Sequence, residues 1–264
     1  MNTETQKPPR AGRGIKDITA DRLAQLDAGA PAATLTECLA VDFALLMGSV
    51  LPEIGAAALA EMQAAASLGI SRRMALAARL IDRYLGHPAI ARLRDHPSDT
   101  ARGWACFMIG AADGVALAAR LAAIRPYADD PHFGVREWAW LAVRPHLAGE
   151  LETAIALLAE WTGDPSERIR RFASEAIRPR GVWCAHIGEL KRRPEMALAV
   201  LEPLQADPSG YVQDSVGNWL NDAAKDRPDW VEALCLRWSA SSPTPATARI
   251  CRRALRSIRS GKPG

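Results

Sequence analysis

Two carboxylates, Glu175 and Asp222, interrupt apolar helical patterns and are the side chains best suited to chemistry in this sequence. Glu175 lies between Phe172 and Arg178, and Asp222 follows Trp219, Leu220 and Asn221. Near them stand Arg144, Arg178 and Arg180 and three indoles, Trp140, Trp183 and Trp219. A carboxylate beside indoles can hold a cationic, planar group by Coulomb and cation–π attraction, while guanidiniums grip phosphates. The same residues also admit a plainer arrangement. Glu175 would then pair with Arg178 at i, i+3 on a helix surface, worth about 0.2–0.5 kcal/mol, and Asp222 would be a solvated charge at a helix end. The five cysteines (Cys38, Cys106, Cys184, Cys235, Cys251) form no Cys-x-x-Cys pair, and the five histidines show no i, i+4 spacing. Neither a metal nor a cofactor is expected.

The elements that must position these residues repeat. Pro97, Pro131, Pro165 and Pro208 each open a segment of the same layout. Four residues on come Ala101, Val135, Ile169 and Val212; five on, Arg102, Arg136, Arg170 and Gln213; seven on, Trp104, Trp138, Phe172 and Ser215. Asp130, Asp164 and Asp207 precede three of the prolines. This reads as a helix start with Asp as the cap and Pro at the first helical position. The prolines are 34, 34 and 43 residues apart, the period of a stacked helical hairpin. Asp-Pro-x-x-x-aliphatic-Arg also resembles the HEAT-type repeat signature. The expected fold is all-α, a HEAT-like helical-repeat solenoid with a concave basic face and essentially no sheet.

Recurrence at one repeat position assigns Trp104, Trp138 and Phe172 to the core, whereas Trp140, Trp183 and Trp219 are off that position and freer to face a ligand. After Pro165 the chain runs about nine residues longer than in the other repeats, and such an insertion usually sits on the binding side. Leading helices are expected over 35–47, 56–68 and 71–85, and second helices of the hairpins over 115–124, 151–161, 197–204 and 230–238. Residues 1–20 read as a disordered basic tail and residues 21–264 as one repeat domain, expected to be monomeric.

A net charge of +3 by itself selects no partner, but its distribution does. Arg249, Arg252, Arg253, Arg256, Arg259 and Lys262 follow one another with no acid between them. On one helix the first four form a stripe, with Ile250, Ala254 and Ile258 on another face. Such a stripe points to a polyanion. Apolar runs fall short of the roughly 18–20 residues that span a bilayer, and the N-terminus lacks a secretory apolar core, so a cytoplasmic location without membrane contact is expected.

Two longer patterns carry a resemblance. Arg-Arg-x-x-Ser-Glu-x-x-Arg-Pro-Arg from Arg170 to Arg180 and Asn-Asp-x-x-Lys-Asp-x-Pro from Asn221 to Pro228 resemble the AlkC/AlkD superfamily of bacterial DNA alkylation repair glycosylases, with the AlkC branch closer. The similarity is strongest over residues 131–229 and continues into the basic last helix. The resemblance implies a bacterial, nucleoid-associated monofunctional DNA glycosylase that removes cationic N-alkylated bases of the 3-methyladenine and 7-methylguanine class from duplex DNA. Glu175 and Asp222 would then be its catalytic acids. Trp140, Arg144, Arg178, Arg180, Trp183, Trp219, Arg249, Arg252, Arg253 and Arg256 would contact lesion or DNA. On that reading Glu175→Ala abolishes base release and leaves the fold intact. The AlkC branch implies a further acid where this chain has Trp140, and the closest acid is Glu137, one helical turn earlier. An immunoglobulin-like C-terminal domain, carried by some AlkC relatives, is not expected in this chain. Two other readings stand beside the enzyme: a noncatalytic relative that binds bent or branched DNA, and a HEAT-type protein scaffold.

Overall fold

The computed structural model describes residues 14–259, and among them every regular element is helical. Of the expected tail, residues 1–13 lie outside the described residues, while Ile15–Asp17 form a 3-10 turn. Two compact units make up the chain, Met1–Ala105 and Cys106–Gly264. The first holds α1 (Ala20–Asp27), α2 (Leu35–Ala40), α3 (Phe43–Val50), α4 (Ala56–Ala64), α5 (Ile70–Leu85) and α6 (Ala89–Arg94), and α7 (Asp99–Ala111) begins in it. The second holds α8 (Leu117–Ala128), α9 (Phe133–Gly149), α10 (Leu151–Ala159), α11 (Glu167–Glu175), α12 (Gly188–Arg192) and α13 (Leu198–Leu201), then α14 (Gly210–Ala223), α15 (Pro228–Ser241), α16 (Pro245–Ala254) and α17 (Arg256–Arg259). No described helix is long and apolar enough to cross a membrane.

Several expected boundaries move, three of them by breaking a helix. The single helix over 35–47 divides, because Val41 leaves the helical conformation, Asp42 is extended, and the Asp42 carboxylate caps α3 by accepting from the amides of Ala44 and Leu45. The hairpin partner over 197–204 is built of short 3-10 and α pieces that surround Pro203. The basic last helix breaks at Leu255, so Arg256 lies in α17, beyond the stripe's helix.

The repeat prolines also act differently from the expectation. Each stands one residue before the cap, so it is not the first helical residue. His132, Ser166 and Ser209 are the caps of α9, α11 and α14, and each side chain accepts from the amide two residues on. The preceding aspartates instead close the turn that leads in: Asp130, Asp164 and Asp207 accept from the cap residue's own amide at 2.7–2.8 Å. The long polar residue at the fifth position reaches back to the same turn. Arg136 donates to the carbonyls of Asp130 and Pro131, Arg170 to those of Asp164 and Pro165, and Gln213 to that of Asp207. These arginines are recurrent because an Asp-Pro turn leaves carbonyls that need a donor.

The core aromatics fall where the repeat puts them, with Trp104, Trp138 and Phe172 at most 2% exposed. Helix α9 is fixed by a close crossing with the C-terminal part of α7. A Cβ at Gly110 would overlap the Ala142 carbonyl. The Gly110 carbonyl meanwhile accepts from Arg120 at 2.8 Å and lies 2.7 Å from His146 Nε2. Gly110→Ala is therefore expected to destabilise by about 1–3 kcal/mol, although alanine is the better helix former by up to about 1 kcal/mol. A urea midpoint at or above wild type would contradict this.

A cleft built on a buried carboxylate

Three helices and one loop supply the site. Helix α9 brings Glu137 and Trp140, α11 brings Arg171 and Glu175, and α14 brings Tyr211, Asp214, Ser215 and Asn218. The loop over 179–187 brings Val182 and Trp183. Together with Arg178 these residues line a cleft of about 310 Å³.

Glu175 sits on its floor, 4% exposed. Its Oε1 accepts from Arg178 Nη1 at 2.8 Å, and its Oε2 accepts from Ser215 Oγ at 2.7 Å and lies 3.5 Å from Arg171 Nη2. Burial alone would raise this carboxyl, but the two guanidiniums outweigh it and hold it below the usual carboxylate range. Against the opposing effect of burial, Glu175 and Glu137 raise Arg171, and Glu175 and Asp222 raise Arg178. Glu175 is thus no surface partner of Arg178; it is a buried carboxylate held toward its ionised form by two guanidiniums.

Asp222 is not a wall of the cleft. It is buried behind Arg178, whose Nε and Nη2 both donate to its Oδ2, at 2.9 and 2.7 Å. Burial pushes the Asp222 carboxyl up despite that pairing. Its action on the cleft runs through Arg178, which joins both expected acids.

The three indoles part company. Trp183 is 43% exposed at the cleft mouth and has φ 61°, a left-handed conformation that costs a bulky residue of order 1–3 kcal/mol. Trp140 is mostly buried with one edge in the cleft, and its Nε1 donates to Glu137 Oε2 at 2.8 Å. Trp219, expected near a ligand, is instead wholly buried: its Nε1 donates to the Ile177 carbonyl at 3.0 Å and its ring packs near Trp230.

Arg144 also departs from the expectation. It is 2% exposed, and its guanidinium is spent on backbone carbonyls of Ala176, Arg178 and Ala185. Burial lowers its pKa accordingly. It ties down the loop that carries Trp183, helped by Gly181, where a Cβ would overlap the Cys184 sulfur. Arg180 turns to Asp226, with three contacts of 3.0–3.2 Å, and is not a wall of the cleft. In the basic stripe, Arg249 and Arg253 reach Asp214 at 2.8 and 3.1 Å, while Arg253 and Arg256 donate to Asn218 at 2.9 Å. They brace the α14 rim of the cleft, and Arg252 stays exposed. Lys262 lies outside the described residues.

Sequence reasoning passed over Arg171, Tyr211 and Ser215. The signal for Ser215 was present: it stands at the repeat position that is aromatic in the other three copies, and the space so left admits its hydroxyl to Glu175. Arg171 gave a signal too, since Glu137, Arg171 and Asp214 share one repeat position with alternating charge. Arg171 Nη2 meets Glu137 Oε1 at 2.7 Å, and its guanidinium lies over the Tyr211 ring at 4.9 Å.

Comparison with known proteins agrees with this architecture. Residues 87–178 match the HEAT repeats family, and residues 134–249 match the DNA alkylation repair enzyme family, a range that contains the whole cleft. No curated protein matches the chain. A solved structure of the Pseudomonas fluorescens alkylpurine DNA glycosylase AlkC, bound to DNA containing an abasic site analog, aligns with a TM-score of 0.63 at 25% identity. The alignment covers 94% of this chain and 66% of that one, so this chain spans just under two thirds of that protein's length. The repeats, the cleft and the match to the DNA alkylation repair enzyme family thus fall on the same helices of this chain.

Proposed function

We propose that the chain is a monofunctional DNA glycosylase that hydrolyses the N-glycosidic bond of cationic N-alkylated purines, the 3-methyladenine and 7-methylguanine class, in duplex DNA. The observation that carries this reading is Glu175, a buried carboxylate held ionised at the floor of a cleft walled by Trp140 and Trp183. An N3- or N7-alkylated purine carries its positive charge before it leaves, so the departing base needs little help. What the site supplies is a fixed negative charge against the cation and against the positive charge that develops on the sugar. The exposed Trp183 indole offers its face to the same cation. Asp222 acts as a positioning residue that holds Arg178 against Glu175. Arg252, with Arg249, Arg253 and Arg256 beside it, is assigned to backbone phosphates.

Release of methylated bases from methylated duplex DNA, followed by chromatography, tests the proposal. Free 3-methyladenine or 7-methylguanine is the expected result. Salt-sensitive binding of the duplex with no base released would make the chain a noncatalytic DNA-binding relative. Absence of binding at low salt would leave the scaffold reading.

A further inference from the structure

Three carboxylates line the cleft: Asp214 is taken up by Arg249 and Arg253, and the other two, Glu137 and Glu175, are held in different ways. Both oxygens of Glu175 are engaged, by Arg178 on one side and by Ser215 and Arg171 on the other, and the group is buried. A carboxylate so surrounded by donors stabilises charge well and accepts a proton poorly. Glu137 has one donor on each oxygen, Trp140 Nε1 at 2.8 Å on Oε2 and Arg171 Nη2 at 2.7 Å on Oε1. An ionised carboxylate accepts about four hydrogen bonds, so each Glu137 oxygen keeps a lone pair free. Its side chain is 29% exposed against 6% for Glu175, so it is the more open of the two in the same cleft. Arg171 Nη2 faces both acids, which fixes them as neighbours.

We infer that Glu137 is the general base of this site, oriented by the Trp140 indole N–H, and that Glu175 serves as the fixed counter-charge. The inference rests on the glycosylase reading. In the step it describes, a water held by Glu137 attacks C1′ of the sugar. The new C1′–O bond forms as the C1′–N bond breaks, and the bonding pair passes to the alkylated base, which leaves neutral. One water proton goes to the Glu137 carboxylate and the other stays on the new sugar hydroxyl. Trp140 and Glu137 thus work as a pair, the ring as a wall and its N–H as a positioning group.

The test is single-turnover base release from methylated duplex by wild type, Glu137→Gln and Glu137→Ala, with and without added formate. Glu137→Gln is expected to lose about 100-fold in rate, within the range of general-base removal, with duplex affinity and melting temperature close to wild type. Formate is expected to restore release to Glu137→Ala and not to Glu175→Gln, because it can replace a water-facing base and not a buried counter-charge. A Glu137→Gln rate near wild type, or a Glu137→Ala enzyme indifferent to formate, overturns the assignment and leaves the glycosylase reading standing. A wild-type protein that frees no base overturns both.

Discussion

Glu175→Gln is expected to slow base release by about 10²–10³-fold, the loss typical when one preorganised charge-stabilising group is removed from a dry site. Affinity for undamaged duplex should change little, since Glu175 lies on the cleft floor and not among the phosphate contacts. Glutamine is the informative replacement because alanine does two things at once. Glu175→Ala would leave Arg171 with Glu137 alone and Arg178 with Asp222 alone, and breaking a fully buried ion pair costs up to about 3–5 kcal/mol, so a loss of stability would be mixed with any loss of rate. The same acid has a pH signature. Its folded-state pKa is depressed, so its contribution is fully present above the unfolded carboxylate value of about 4.3 and is lost as pH falls below that through the folded value. Melting curves between neutral and acid pH should therefore fall more steeply for wild type than for Glu175→Gln. Parallel curves would mean that the carboxylate is not held as the structure shows, and an unchanged rate would remove it from the mechanism.

Arg144→Ala is the second large effect, and it separates two roles for one residue. The side chain donates to three carbonyls, the buried one of Ala176 and the partly buried ones of Arg178 and Ala185, and leaving a buried acceptor unpaired costs roughly 1–3 kcal/mol. The loop over 179–187 should loosen with them, seen as faster hydrogen exchange of its amides and as weaker capture of the lesion duplex, because Trp183 rides on that loop. Arg144→Lys should restore little, since an ammonium lacks the planar fork that reaches both the Ala176 and the Arg178 and Ala185 carbonyls. If Arg144 bound phosphate, the outcome would be different: stability unchanged, and the slope of log affinity against log salt reduced by about one.

How much of this was legible in the sequence depends on what kind of physics each residue reports. The repeat was legible because stacking forces the same residue classes to the same positions, and Trp104, Trp138 and Phe172 obeyed it. Glu175, Arg178 and Trp183 were found as residues out of pattern, and the structure brings all three to one cleft. Arg144 and Trp219 were read with the wrong sense because inward and outward faces of an inner helix differ by about one residue of rotation. Which face is inner is set by where the helix starts, and the cap is two residues later than an Asp-Pro start suggests. Arg171 was lost for another reason: next to Arg170, which is in register with the turn-clamping arginines, it looks like a second copy of the same solvated charge. Only the partners on neighbouring helices, Glu137 and Tyr211, tell them apart.

Ser215 carries a consequence for how such a site persists. It stands where a ring would complete the packing, and burying a large apolar side chain is worth about 1.5–3 kcal/mol. The fourth repeat therefore tolerates a standing defect, and the cleft is that defect put to use. Restoring an aromatic there would tighten the protein and close the cleft in a single substitution. A lineage no longer selected for the reaction would gain stability by losing it, whereas one that keeps a serine at this position signals continuing demand for the open space.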